Sequence, residues 1–321
     1  MVFTTKTLGF LLLLYASQAL AAPVGLNTRD QNPMFQAYFL PSIDLNSHQG
    51  WQVSHSVYLT NAFQSNQQGN ETLILDVENY RYDFSIAYQK KKLRLSATLP
   101  LIFNEGGIFD DAIEDWHDFF GLTQGGRTSR PHNKLGITYT RNGETFFSQT
   151  NATNDIGDIA VSLSYSLSDS NKNFSTFSLA IDLPTGSEKN ISGNGAVDTA
   201  LWLSQAYRAS KLTRLYGLYG ISLPGKGGQL ERLRKSTVWV GQIGLEQQLY
   251  PGWNAILQFD AHTAFIEGSQ LRALGHSLQV QIGLRVMKIT EHHDIDLFFS
   301  EDILVGSAPD ITIGVRLYQN Y

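Results

Sequence analysis

A serine hydrolase needs a histidine base within reach of its serine. On one extended strand that means a His and a Ser two positions apart, because side chains alternate between faces. No H-x-S occurs in the 321 residues. His55 with Ser56 and His276 with Ser277 are adjacent pairs and would point to opposite faces. A triad assembled across strands stays open, so a lipid-modifying hydrolase is carried as an alternative. Two clusters have the donors of a metal site, Asp115, His117 and Asp118, and His292, His293 and Asp294. Neither has the i, i+4 spacing with which two histidines on a helix share an ion, and polar turns explain both. With no cysteine in the chain, thiolate sites, iron–sulfur clusters, disulfides and cysteine nucleophiles are excluded. No catalytic residue, metal ligand or cofactor is assigned.

The remaining ionisable residues fall on alternate positions of apolar segments. Asp76, Glu78, Arg94, Asp182, Glu246, Asp260, His262, Arg285 and Arg316, with Gln242, Gln279 and Gln281, stand opposite faces that carry no Asp, Glu, Lys or Arg. Charges of both signs on the inner face of a closed sheet line a solute path. The net charge, −5 from 24 basic and 29 acidic residues, argues against a nucleic acid as the main partner.

The elements that must hold such a lining are strands. Apolar residues recur every second position, as in Trp51, Val53, Val57, Leu59 and Phe63, or Leu278, Val280, Ile282, Leu284 and Val286. Segments 51–63, 72–89, 93–104, 156–168, 174–184, 196–209, 213–224, 236–249, 253–265, 272–287, 294–303 and 310–321 make twelve strands. Most exceed the length usual in soluble sheets and suit a tilted membrane crossing. Aromatic residues gather near their ends (Trp51, Phe63, Phe103, Tyr250, Trp253, Phe265, Tyr321), where an interfacial girdle sits. Connections alternate between short turns, such as 90–92, 210–213 and 250–252, and longer polar loops. The pattern predicts an all-β, antiparallel transmembrane barrel. In the second strand the apolar phase changes between Val77 and Tyr80, which predicts a bulge near Glu78. Residues around Asn142-Gly143 read as a short hairpin outside the membrane; if it crosses, the count becomes fourteen.

Residues 1–21 read as a secretory signal peptide, with Lys6 before the apolar run Leu8–Tyr15 and Ala19 and Ala21 as the cleavage signature. Its removal leaves 23 basic against 29 acidic residues. Residues 22–50 form a leader on the periplasmic side or in the lumen, and 51–321 the barrel. The last strand ends on Tyr321, and an aromatic terminus after such alternation resembles the assembly signal of Gram-negative outer-membrane proteins. Barrel-assembly machinery, outer-membrane lipid and lipopolysaccharide are the partners this implies, and the outer membrane the location.

The long insertion, 105–134, alone has a helical period. Ile113, Trp116 and Phe120 share one face, Asp110 or Asp111 can cap, and Gly121 can end the helix. With Phe119 and His117 it is expected to fold over the barrel mouth as a lid, while Arg127 and Arg130 face acids or lipopolysaccharide phosphates; a helix that merely caps the rim fits equally well. The stretch IEDWHDFFGLTQGGR, taken with the early NPMFQAYFLP, resembles an outer-membrane barrel family designated only as domain-of-unknown-function family 3187. The resemblance covers essentially the mature chain, and it implies a barrel and no particular activity. The functional expectation is a passive channel or transporter for an unidentified small solute, gated by the outer loop, with the hydrolase and a closed structural or surface-interaction barrel as alternatives.

Overall fold

The computed structural model describes residues 23–121, 124, 126–170, 172–304 and 306–321, apart from the side chains of Trp116, His117 and Ser129. The signal-peptide segment lies outside them. In chain order the strands are β1 (Gly50–Gln68), β2 (Glu71–Lys90) and β3 (Leu93–Glu105), followed by three short ones in the long connection, β4 (Gly136–Arg141), β5 (Glu144–Gln149) and β6 (Thr153–Ile156). Nine more complete the set: β7 (Ile159–Asp169), β8 (Asn173–Leu183), β9 (Asp198–Arg208), β10 (Thr213–Leu223), β11 (Val238–Tyr250), β12 (Trp253–His262), β13 (Ser277–Thr290), β14 (His293–Asp302) and β15 (Ile311–Asn320). One α-helix, α1 (Asp110–Phe120), stands among the described residues.

Twelve strands close an antiparallel ring, β1-β2-β3 and then β7 through β15, with β15 pairing back onto β1 from Gln52↔Asn320 to Asn61↔Ile311. Closure leaves no unpaired edge, which is what a lipid environment demands of a sheet. The β4–β5 hairpin turns at Asn142 and Gly143, both with positive φ, and pairs with the far end of β2 beyond the ring. The fourteen-strand count therefore does not hold, because the hairpin arms add to a strand extension and not to the ring.

Lipid decides the outer face. Ile243, Leu257, Ile282 and Ile313 point outward, each between 40% and 65% exposed, while the intervening Gln242, Gln258, Gln281 and Thr312 are buried inside. Trp51 and Tyr88 stack at the short-turn end and Tyr219 and Trp239 toward the long-loop end, giving two aromatic girdles. Leu257 and Ile282 are cross-strand partners on β12 and β13. Leu257→Arg should destabilise the barrel by about 2–4 kcal/mol near the midplane, measured by denaturant unfolding in lipid vesicles. A variant as stable as the parent would place this face away from lipid.

The expected bulge near Glu78 is absent: β1 and β2 stay in register from Gly50↔Gln89 to Gln68↔Glu71. What changes at Val77 is the environment. Beyond it the strands rise past the ring, where Leu73, Leu75 and Val77 face an apolar interior and Asp76 and Glu78 lie on the outer face with Tyr80 and Tyr82. Two residues of the aromatic list also turn out not to be girdle. Phe63 lies buried under the Arg127 guanidinium, 4.9 Å from its ring centre, and Phe265 sits past the end of β12 in the interior.

That interior is filled by the chain's own first described segment. Residues 23–31 run up the lumen, 32–38 turn, and 39–49 run down to β1; Val24 and Leu45 bridge the two legs. Met34, Phe35, Tyr38, Phe39, Leu40, Ile43 and Leu45 are all buried, packed among Trp202, Tyr216, Leu218, Val240, Ile256 and Phe298 of the barrel wall. Room for the wall aromatics comes from inward glycines. A Cβ on Gly314 would lie 2.0 Å from the Phe298 ring, and one on Gly244 2.3 Å from that of Tyr216.

Candidate functional site: the lumen and its internal hairpin

The hairpin is held by polar residues of the inner face from the short-turn end upward. Arg285, fully buried on β13, donates from Nε and Nη2 to both carboxylate oxygens of Asp296 at 2.6 and 2.8 Å, and also to the carbonyl oxygens of Pro23 and Gly25. Glu246 accepts from Arg214 at 2.7 Å and from Asn254 at 2.5 Å, with Arg285 3.5 Å away. Higher up, Thr28 donates to Asp260 at 2.9 Å inside a cluster with Gln258 and Gln281, and His262 meets Asp30 at 2.9 Å. On the descending leg, Gln242 accepts from the Ile43 amide at 2.8 Å, and Arg94 donates to Asp44 at 3.1 Å. Of these, Arg94, Gln242, Glu246, Asp260, His262, Gln281 and Arg285 are legible as lumen residues from alternation, whereas Arg214, Asn254 and Asp296 were missed. The placement of their partner stays open between the periplasmic side and the lumen, because the leader shows no period that matches a barrel wall.

At the long-loop end the turn of the hairpin is sealed by the β12–β13 connection. Phe265 stacks against Phe35 at 4.7 Å and against Tyr38 at 5.1 Å, and Asn32 donates to the Ala273 carbonyl at 3.0 Å. The aromatics of NPMFQAYFLP are thus one half of the seal and Phe265 the other. Nothing in the local sequence of 263–276 marks it as a cap.

The segment around α1 sits elsewhere than over the mouth. Phe109, Ala112 and Ile113 face Leu59, Phe299, Ile311 and Ile313, which are outward residues of β1, β14 and β15, so the helix lies along the outer wall. Ile113 is buried there, while Ile108, Phe119 and Phe120 are exposed. Trp116 and His117, central to the lid expectation, have side chains outside the described residues. Arg127 is a buried clamp, donating to Asp110 at 3.1 Å, Asp310 at 2.6 Å and Asn61 at 2.8 Å, and so is not a surface phosphate ligand. Arg130 pairs with Asp76 at 2.7 Å, and Glu78 accepts from the amides of Ile108 and Phe109. Asp76 and Glu78 therefore anchor the outer loop and do not line the lumen. His132, between Asp111 at 2.9 Å and Glu114 at 3.1 Å, is held above the ordinary histidine range: desolvation opposes its charge, and Glu114 and then Asp111 outweigh it.

The hairpin leaves one side of the lumen open. A cavity open to solvent lies between the hairpin and the wall made by β15, β1, β2, β3 and β7. Arg29, Arg81, Arg94 and Arg316 line it with Asp44, Asp83 and Asp158, and serines occupy much of the remaining wall. Arg94 and Arg316 were expected in the lumen; Arg81 and Asp83 were missed, although their alternation with Tyr80, Tyr82 and Phe84 marks them as inward. Asp182 is buried on the inner face of β8, opposite Asp198. Tyr321 donates its amide to the Trp51 carbonyl at 2.9 Å, extending the β15–β1 seam, and its own carbonyl meets the His48 ring at 3.0 Å. The second histidine cluster is a turn: Thr290 and His293 are joined at 2.5 Å, and Asp294 accepts from the Lys288 amide.

The profile of a family described as protein of unknown function (DUF3187) matches residues 4–319. Among curated proteins none matches the chain. Of solved structures, an outer-membrane channel from Pseudomonas putida F1 superposes with a TM-score of 0.55 at 11% identity, covering 88% of this chain and 97% of that one. The NanC porin covers 84% and 98% at 7% identity with a TM-score of 0.46, and the CymD monoaromatic hydrocarbon channel 95% and 97% at 10% with 0.42. At these identities the likeness concerns the fold: an outer-membrane β-barrel.

Proposed function

This chain belongs to the DUF3187 family of outer-membrane β-barrels, and from that premise we propose that it is a passive channel for small polar solutes. The observation that carries the reading is the charged, hydroxyl-lined cavity running beside the internal hairpin. A barrel serving only as a wall or an anchor has no use for several buried arginines around open space, since each costs desolvation. Passage through such a lining needs no chemistry, only a route narrow enough to select and polar enough to replace water.

The hairpin and the Phe265 seal are the restriction on that route, and the outer loop around α1 braces the rim from outside. A second reading, a closed barrel, is favoured by the stacking of Phe265 on Phe35 and Tyr38, which shuts the long-loop end when undisturbed. Planar-bilayer recording of the purified full chain separates the two. Discrete conductance steps are expected; their absence in a preparation that keeps the heat-modifiable gel mobility of a folded barrel would overturn the channel and leave the closed wall.

A further inference from the structure

We propose that the cavity beside the hairpin is a binding site for a small hydrophilic solute bearing a carboxylate or phosphate group, held by Arg316 and Arg94. This deepens the channel reading and rests on it for its physiological purpose, but the site itself is argued from the arginines.

Arg316, on the inner face of β15, is 94% buried by its 6% exposure, and no carboxylate stands within 4.0 Å of it among the described residues. Its contacts are the Ser54 hydroxyl at 3.5 Å and the face of Tyr318 at 4.1 Å, and its Nε has no hydrogen-bond partner. Stacking on a ring attracts the charge yet satisfies none of the in-plane N–H donors. Arg94, 7% exposed, gives Nε and Nη2 to Asp44 at 3.2 and 3.1 Å and Nη2 to Gln52 at 2.7 Å, while its Nη1 has no partner. Further along the same cavity, Arg29 and Arg81 share the single carboxylate of Asp83 at 3.2 and 2.7 Å. Four guanidinium groups thus meet three carboxylates, of which Asp44 and Asp83 are ion-paired and Asp158 accepts from the amides of Gly186 and Asn194, in a protein whose overall charge is negative.

A buried guanidinium with no carboxylate in contact gives up hydration that its more distant neighbours Asp44 and Asp296 do not replace by hydrogen bonds, and the planar fork of arginine matches an oxyanion with two parallel hydrogen bonds. A cation is disfavoured because Asp44 and Asp83 are already engaged by arginine and both oxygens of Asp158 by backbone amides. An apolar solute would leave the donors of Arg316 unpaired. The ligand class that completes the site is a small oxyanion, with neighbouring serine hydroxyls for its other polar groups.

The test is isothermal titration of the full folded chain in detergent with succinate and, separately, with inorganic phosphate. Saturable binding of at least one is expected, weakening as sodium chloride rises from about 0.05 to 0.5 M because the attraction is screened. Arg316→Gln should weaken it about tenfold or more, the loss of about 1.4 kcal/mol, and Arg316→Lys less. If Arg316→Gln does not fold, Arg94→Gln gives the same reading. Binding of succinate alone identifies a carboxylate solute and of phosphate alone a phosphorylated one. No saturable binding of either, binding indifferent to salt, or binding unchanged in the folded variants would overturn the site. Binding that persists in a chain without conductance would retain the site and remove the channel.

Discussion

A chain lacking residues 24–48 is expected to conduct severalfold more than the parent in planar bilayers. A twelve-strand ring lies between the small barrels whose side chains fill them and the larger ones that enclose water. Here the inner space is taken up by a hairpin whose buried residues touch strands β9 to β14, so the parent keeps only the off-centre cavity. Without the hairpin, Asp260, Gln258 and Gln281 exchange hairpin partners for water at little cost. Trp202, Leu218, Val240 and Phe298 lose apolar neighbours, and thermal stability should fall. The ring should survive, because its twelve ladders do not pass through the hairpin. Conductance and the midpoint of thermal unfolding, measured on the same preparation, check both halves. An unchanged conductance would show that the hairpin is not the restriction on the lumen.

Arg285→Met is expected to destabilise the barrel by about 3–5 kcal/mol, the range for breaking a buried ion pair by removing one partner. The variant leaves Asp296, 1% exposed, with only the Tyr318 hydroxyl at 2.5 Å, and frees the carbonyl oxygens of Pro23 and Gly25. Adding Asp296→Leu should recover much of the loss, since an apolar pair of similar volume carries no unpaired charge. Glu246 keeps Arg214 and Asn254 in both variants. Urea unfolding in vesicles reads the stability. Protease cleavage within residues 23–31 reads the hairpin, whose ascending leg should become accessible in the single variant. Equal stability of the single variant and the parent would mean that Arg285 is not the clamp its geometry describes.

The wall of this protein is written locally. Lipid on one side and a polar lumen on the other impose a two-residue period, so Leu257 against Gln258, or Ile282 against Gln281, declare their faces without reference to any distant residue. The alternation of short and long connections and the inward placement of Arg94, Asp260, Arg285 and Arg316 follow from that period, which leaves the count at twelve or fourteen until the pairing of the 136–149 hairpin with β2 fixes it at twelve. The period fails where the environment changes along a strand: at Val77 the interior becomes apolar and the exterior is covered by a loop, so the polar residues Asp76 and Glu78 stand on the outer face while the register runs on undisturbed. Only the tertiary structure decided what fills the barrel and what covers it. The hairpin legs pair with strands more than 200 residues away, as Thr28 does with Asp260, and the helix of residues 110–120 chooses the outer wall over the mouth because Leu59, Ile311 and Ile313 offer its apolar face a partner there. An amphipathic stripe specifies that something must cover it; which surface does so is set by residues far along the chain, brought together when the ring closes.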